Sequence, residues 1–142
     1  MPPELAVSDS CSCEDETTLR EKLASYNISR FGESDRRDLA IILRNDAGEA
    51  EGGLFGRTAR GWLFIHTLFV PEHLRGQGLG GRLLCAAEQA ARTRGCRGSC
   101  LDTMSPQARA FYRKHGYESL GQLEDLDGGN VVIWMKKHFH QL

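Results

Sequence analysis

The connection between the most apolar stretch of the chain and its clearest helix pattern constrains the fold most. Residues 62–70 are nearly continuous in apolar and β-prone residues, as in a central strand covered on both faces, and Pro71 ends them. Residues 80–94 carry apolar residues at helical spacing, and Gly95 supplies the stop. The connection reads Val70-Pro71-Glu72-His73-Leu74-Arg75-Gly76-Gln77-Gly78-Leu79-Gly80-Gly81. A strand, a glycine-rich loop and a helix therefore follow one another.

The start of this helix lacks the residues that usually cap a helix. No Ser, Thr, Asp or Asn is present to accept the first-turn N–H groups, and four glycines let the backbone approach a ligand closely. Free N–H groups at the positive end of a helix, with Arg75 beside them, favour a phosphate or pyrophosphate ligand. A loop chosen only for tight strand-to-helix packing is the alternative.

Apolar periodicity and turn residues predict a mixed α/β domain with about six or seven strands and four helices. A chain of 142 residues buries enough surface for one core, so residues 1–142 are expected to form a single domain. Strands are predicted at 4–7, 39–43, 52–56, 62–70, 97–103, 117–123 and 131–135. Helices are predicted at 14–26, within 30–37, at 80–94 and at 105–115.

Composition and charge limit the classes of partner that are expected for this chain. No apolar run approaches the ~20 residues of a membrane span, and the N-terminus lacks the basic and apolar regions of a signal peptide. A cytoplasmic protein without a membrane partner is expected. The net charge is −6 over residues 1–51 and +5 over residues 52–142. With a pI near 6.5 and no basic cluster interleaved with aromatics, nucleic acid is not expected as a partner.

The cysteines do not indicate a metal centre. The chain has five of them, at spacings that match no common zinc pattern. Free thiols and no bound metal are therefore expected.

Two segments resemble motifs of the GNAT superfamily of N-acetyltransferases. Arg75-Gly76-Gln77-Gly78-Leu79-Gly80 resembles its acetyl-CoA signature, [RQ]-x-x-G-x-[GA]. Residues 105–117, Ser-Pro-Gln-Ala-Arg-Ala-Phe-Tyr-Arg-Lys-His-Gly-Tyr, resemble its second cofactor-side motif. The order of elements agrees over about 39–137, whereas residues 1–38, where the family builds much of its acceptor site, match little.

The resemblance implies an acyl-CoA N-acyltransferase fold with acetyl-CoA as cofactor. The backbone N–H groups of residues 77–81 would hold the pyrophosphate, and the strand edge at 68–70 would pair with the pantetheine arm. The implied cofactor contacts are Leu68, Phe69, Val70, Arg75, Gly76, Gln77, Gly78, Leu79, Gly80, Gly81 and Ser105. The family often dimerises, so a homodimer is also an open expectation.

Tyr112 matches the family tyrosine that faces the thioester sulfur as general acid. A phenol with a pKa near 10 protonates a thiolate with a conjugate pKa near 8.5 only uphill, by roughly 2 kcal/mol. A hydrogen bond to the sulfur, or a lowered tyrosine pKa, therefore fits better than complete proton transfer. The alternative is a core aromatic, because Ala108, Phe111, Tyr112 and His115 share one helical face.

His66 is the candidate general base. It is the one titratable residue within the predicted central strand, and it lies an even number of positions from Leu68, which predicts that it points to the acceptor cleft. A buried histidine with a structural role is the alternative. The function implied is transfer of an acetyl group from acetyl-CoA to a primary amine of a small molecule or peptide, by direct attack in a ternary complex. A non-catalytic acyl-CoA-binding or regulatory module on the same fold is the rival.

Overall fold

Six strands form one mixed sheet in the computed structural model, which describes residues 1–140. The strand order is β1-β2-β3-β4-β6-β5. Neighbouring strands are antiparallel except β3 and β4, which run parallel. The strands span Arg37–Arg44 (β1), Ala50–Ala59 (β2), Trp62–Phe69 (β3), Gly98–Thr103 (β4), Glu118–Leu126 (β5) and Asn130–His138 (β6).

Three α-helices accompany the sheet, one fewer than expected. They span Cys13–Phe31 (α1), Leu79–Thr93 (α2) and Pro106–Lys114 (α3), and short 3-10 turns lie at Glu72–Leu74 and Asp127–Gly129. Helix α2 is the crossover that joins the parallel strands β3 and β4, as parallel pairing requires. Helix α3 begins as expected, because the Ser105 side chain accepts a hydrogen bond from the Ala108 N–H and proline follows it.

Within the described chain, two compact units can be distinguished: residues 1–34 and the residues from 35 onward. The first unit consists of an irregular segment and α1. Ser12 caps α1 by accepting from the Asp15 N–H, and Gly32, at φ 84°, ends it. No residue of α1 is buried.

Two local predictions in this region were wrong. Residues 4–7 form no strand, because they pair with no other segment. Residues 30–37 form no separate helix: α1 continues to Phe31, Gly32 stops it, and the backbone then leads directly into β1.

The core of the second unit lies between the sheet and α2. Helix α2 buries Leu83, Leu84, Ala87 and Ala91 on the predicted face. They pack with inward-facing strand residues, of which Leu54, Leu63 and Met135 are almost completely buried. Fully burying one such side chain contributes about 1.5–3 kcal/mol, so this layer holds α2 against the sheet.

The sheet splits in the middle. Strands β3 and β4 pair only between Trp62–Phe64 and Gly98–Cys100; beyond that point β3 follows β2 and β4 follows β6. The edge of β3 that faces β4 is therefore unpaired from Ile65 onward. Next to the split, β3 also carries a bulge, because Ile65 and Thr67 oppose two consecutive residues of β2 and His66 is the extra residue.

Candidate active site

A cleft of about 510 Å³ opens where β3 and β4 separate, on the side of the sheet that α2 and α3 cover. It brings together the end of β3, the glycine-rich loop, the first turn of α2 and one face of α3. Its lining residues are Leu68, Phe69, Val70, Leu74, Arg75, Gly76, Gly78, Leu79, Gly80, Gly81, Ser105, Gln107, Ala108, Phe111 and Tyr112. The volume is in the usual range for small-molecule sites.

Gly76 and Gly78 give the loop its shape. Their φ angles are 79° and 76°, which side chains rarely adopt, and no atom lies within 4 Å of where a Cβ would stand on either one. Gly78 is the N-cap of α2 and provides no side-chain hydrogen bond. The first turn of α2 therefore has no side-chain cap and borders the open cleft, as an anion site at a helix N-terminus requires.

Gly80 and Gly81 leave room for the side chains of α3. A Cβ on Gly80 would lie 3.4 Å from the Phe111 ring, and one on Gly81 would lie 3.0 Å from the His115 ring. These two glycines therefore let α3 pack closely against the first turn of α2. Of the four glycines, one pair shapes the loop and the other pair joins the loop to the helix that carries Tyr112.

Arg75 is held in place at the end of β3. Its Nε donates to the Val70 carbonyl oxygen at 2.9 Å, and its Cζ lies 5.8 Å from the centre of the Phe69 ring. The two terminal nitrogens make no hydrogen bond to another residue among those described. A guanidinium fixed in this way beside free helix N–H groups adds charge-assisted donors for a phosphate.

Tyr112 reaches the cleft from α3. Its side chain is 7% exposed, and its hydroxyl makes no hydrogen bond within residues 1–140. Burial raises its pKa above the ordinary value, and the charge of Asp102 raises it further. The expected alternative of a lowered tyrosine pKa is therefore wrong. The side chain stays a protonated phenol at neutral pH, suited to donate a hydrogen bond rather than to exchange its proton freely.

His66 lies on the other face of the sheet and lines a separate recess. The even spacing predicts that His66 shares a face with Leu68, and this is wrong, because the bulge at His66 breaks the alternation of β3: Leu68 lines the cleft, whereas His66 does not. His66 is exposed rather than buried, so the alternative of a buried histidine is also wrong.

Arg57 contacts the His66 ring. Its Nη1 lies 3.1 Å from His66 Nε2, and its Cζ lies 5.4 Å from the centre of the Phe64 ring. A guanidinium has only donors, so His66 Nε2 is the acceptor in this contact. Nε2 is therefore the nitrogen with a lone pair.

The predicted cofactor contacts meet in one place, with one exception. Every one of them lines the cleft except Gln77, whose side chain lies outside it. Sequence reasoning did not assign Leu74, Gln107, Ala108 and Phe111 to the cleft. The helical spacing of Ala108, Phe111 and Tyr112 was the available signal, since it puts all three on one face of α3.

The remaining features do not compete with this cleft. Among residues 1–140, no group of three His, Cys, Asp or Glu side chains is arranged to hold a metal ion, and the five cysteines are free thiols. No helix in the described chain combines the length and the apolar character needed to cross a membrane. A larger recess of about 850 Å³ lies at the far end of α2, where Arg92 stacks on Phe139, but it has no comparable set of free backbone donors.

Comparison with known proteins agrees with this geometry. The family described as "Acetyltransferase (GNAT) domain" matches residues 36–119. An acetyltransferase of Agrobacterium fabrum is 48% identical over 133 residues, which are 94% of this chain and 97% of that protein. The blasticidin-S acetyltransferase of Streptomyces morookaense is 40% identical over 85 residues, which are 59% of this chain and 62% of that protein.

Solved structures show the same arrangement. The crystal structure of an Agrobacterium tumefaciens protein assigned as an acetyltransferase superposes with a TM-score of 0.94 at 47% identity, covering 96% of this chain and all of that one. An acetyltransferase from Bacillus cereus superposes with a TM-score of 0.79 at 29% identity, covering 94% of this chain and 98% of that one. The expected mixed-sheet fold is confirmed, and the chain belongs to the GNAT acetyltransferase family.

Proposed function

We propose that this acetyltransferase takes the acetyl group from acetyl-CoA and transfers it to a primary amine of a small molecule or peptide, by direct attack in a ternary complex. The observation that carries the proposal is the cleft at the split in the sheet, where free helix N–H groups and a phenol without a partner face the same space. Bound acetyl-CoA would supply the acetyl thioester.

The residues of the cleft fit such a ligand at both of its ends. The N–H groups of Leu79, Gly80 and Gly81, together with the Arg75 guanidinium, would bind the pyrophosphate. The unpaired edge of β3 offers backbone donors and acceptors to the amide groups of the pantetheine arm. A backbone N–H on this edge would also stabilise negative charge on the thioester oxygen.

His66 would accept a proton from the acceptor amine, and Tyr112 would donate a hydrogen bond to the leaving sulfur. His66 Nε2 has the lone pair that accepts one proton from the ammonium form of the acceptor, once Arg57 releases it. The amine lone pair then forms the C–N bond, and the C–S bond breaks with its electron pair on sulfur. The Tyr112 hydroxyl donates a hydrogen bond to that sulfur. The second amine proton reaches the sulfur through solvent, so the products are an amide and a thiol.

Thermal unfolding with and without saturating acetyl-CoA tests the proposal. At ~100 times the dissociation constant, binding stabilises the folded state by ~2.7 kcal/mol, which raises Tm by several degrees. Gly78→Glu removes most of this shift, because it places a carboxylate among the phosphate donors. Gly48→Glu is the matched control: Gly48 has φ 80° and open space around it, but it lies in the β1–β2 turn.

Transfer is then measured by mass spectrometry of the acetylated amine, because the exposed Cys11, Cys13 and Cys85 would react with thiol reagents. A Tm shift that survives in Gly78→Glu, or that disappears equally in Gly48→Glu, would remove the assigned cofactor site. Binding of acetyl-CoA without transfer to any amine would favour the non-catalytic module.

A further inference from the structure

A small recess of about 260 Å³ lies at the split in the sheet, on the face opposite the cleft. Its floor is made by Ile65, Leu101 and Met135, which belong to the core. Its walls are the outward-facing side chains Phe64, His66, Cys100, Asp102, Leu120 and Trp134. Because the strands separate here, the recess and the cleft approach the same gap from opposite sides.

Asp102 supplies the negative charge in this recess. Its carboxylate is exposed and makes no hydrogen bond or ion pair with another residue of the described chain. Across the β4–β6 pairing Asp102 lies directly opposite Trp134, so the carboxylate and the indole are neighbours on one face. The carboxylate is therefore available to a ligand, with an aromatic wall beside it.

The field of Asp102 also reaches the other side of the gap. Its charge contributes to the raised pKa of Tyr112, after burial, although Tyr112 lines the cleft and Asp102 lines the recess. Asp102 therefore lies between the proposed hydrogen-bond donor of the leaving group and the outer face. A cation bound to Asp102 stands at the gap through which the thioester would be reached.

The cationic side chains near the recess are already engaged. Arg57 donates to His66 and lies over the Phe64 ring, and Lys136 pairs with Glu118 at 3.9 Å. An acceptor that carries a carboxylate would meet the unpaired charge of Asp102 instead. The remaining walls are aromatic or aliphatic, so they fit apolar surface better than further charges.

The size of the recess limits the acceptor as well. A volume of 260 Å³ equals that of about nine water molecules at ~30 Å³ each. This accommodates one ring with a short arm, whereas a long polycation would extend beyond the walls and leave its other ammonium groups against apolar surface.

We propose that the acceptor is a small primary amine with a flat apolar body and no carboxylate, whose ammonium Asp102 holds while its ring lies against Trp134 and Phe64. The assignment rests on the proposed function and adds the substrate class. Before reaction the ammonium is paired with Asp102; the proton that it must lose goes to His66 Nε2, on the neighbouring wall of the same recess.

The test compares three acceptors with acetyl-CoA: 2-phenylethylamine, phenylalanine, which adds a carboxylate to the same skeleton, and spermidine, which is a flexible polycation. We expect kcat/KM to be at least about 10-fold higher for 2-phenylethylamine than for either of the others, as loss of a charge-assisted pair or burial of an unpaired charge implies. Asp102→Asn keeps the shape of the side chain and is expected to raise KM for 2-phenylethylamine about 10-fold or more. Trp134→Leu is expected to raise it by about 2- to 10-fold.

Asp46→Asn is the control, because Asp46 lies in the β1–β2 turn and its variant should keep the wild-type KM. A preference for phenylalanine or spermidine, an unchanged KM in Asp102→Asn, or a loss of kcat at constant KM would each overturn the assignment. So would stabilisation by acetyl-CoA without any transfer to 2-phenylethylamine. Absence of a Tm shift with acetyl-CoA in the wild-type protein would instead contradict the proposed function itself.

Discussion

Tyr112 and His66 lie on opposite faces of the sheet, at the same break between β3 and β4. The phenol points into the cleft under α2 and α3, and the imidazole lines the recess on the other side. The two proposed catalytic groups therefore do not compete for one space. A thioester and an amine can approach each other through the gap from two directions, which is what direct attack requires.

Tyr112→Phe tests the phenol. It removes only the hydroxyl, so we expect kcat to fall by about 10- to 100-fold, the worth of a hydrogen bond to a charged group, with the Tm shift from acetyl-CoA unchanged. Tyr117→Phe is the matched control, since the Tyr117 hydroxyl bonds Glu88 and Ser99 within the core and not the cleft. Equal turnover in wild-type and Tyr112→Phe protein would show that Tyr112 contributes to packing and not to catalysis.

His66→Ala tests the base and can be read independently of folding. Loss of a general base lowers kcat by about 100-fold or more, and added imidazole should restore part of the rate, because it can enter the space that the side chain leaves. His140→Ala, at an exposed position, serves as control. A rate in His66→Ala that imidazole does not raise would assign the histidine a structural role with Arg57.

Tyr117→Phe should also destabilise the protein. The Tyr117 hydroxyl lies 2.9 Å from Glu88 Oε2 and 2.9 Å from Ser99 Oγ, and both partners are almost completely buried. Removing it leaves buried polar atoms with fewer partners, at a cost of about 1–3 kcal/mol. Urea unfolding measures the loss, and Tyr26→Phe on exposed α1 should change the free energy of unfolding by less than about 0.5 kcal/mol.

Stability should decline at alkaline pH. Burial raises the pKa of Tyr112 and Tyr117, and likewise of Cys96 and Cys100, in the folded protein. The folded state keeps these protons when the unfolded chain begins to lose them, so stability is complete below about pH 8.5 and falls as the pH rises past the unfolded values, near 8.5 for cysteine and 10 for tyrosine.

Each group contributes a slope of up to ~1.4 kcal/mol per pH unit between its unfolded and folded pKa. Urea unfolding from about pH 8 to about pH 11 measures the decline, and Tyr117→Phe should flatten its upper part. A free energy of unfolding that stays constant to about pH 11 would contradict the prediction.

Much of the second unit was predictable because its signals are local. Gly95 marks the end of α2, Ser105 and the proline after it mark the start of α3, and both lie within one or two residues of their predicted places. The cleft was also predictable, because a strand, a glycine-rich loop and a helix in series place their ends together.

What failed depends on contacts distant in sequence. The bulge at His66 is a property of the β2–β3 pairing. Counting positions along β3 alone therefore put His66 on the same face as Leu68, which is wrong. The role proposed for Asp102 could not be predicted from the sequence, because its neighbours, Tyr112 on one side and Trp134 on the other, follow only from the strand order. The apolar spacing in α1 predicted a helix correctly but not that this helix buries none of its residues.

Only three residue pairs join β3 to β4, so the sheet consists of two smaller sheets, here called leaves, that separate beyond these pairs. One leaf is β1-β2-β3 and carries His66; the other is β4-β6-β5 and carries Asp102 and Trp134. Phe64 and Cys100 form the last residue pair between the two leaves, and α2 contacts strands of both. This pair and α2 therefore set the width of the gap. Phe64 and Cys100 are also walls of the recess, so a substitution at either one would change both the separation of the two leaves and the surface offered to the acceptor.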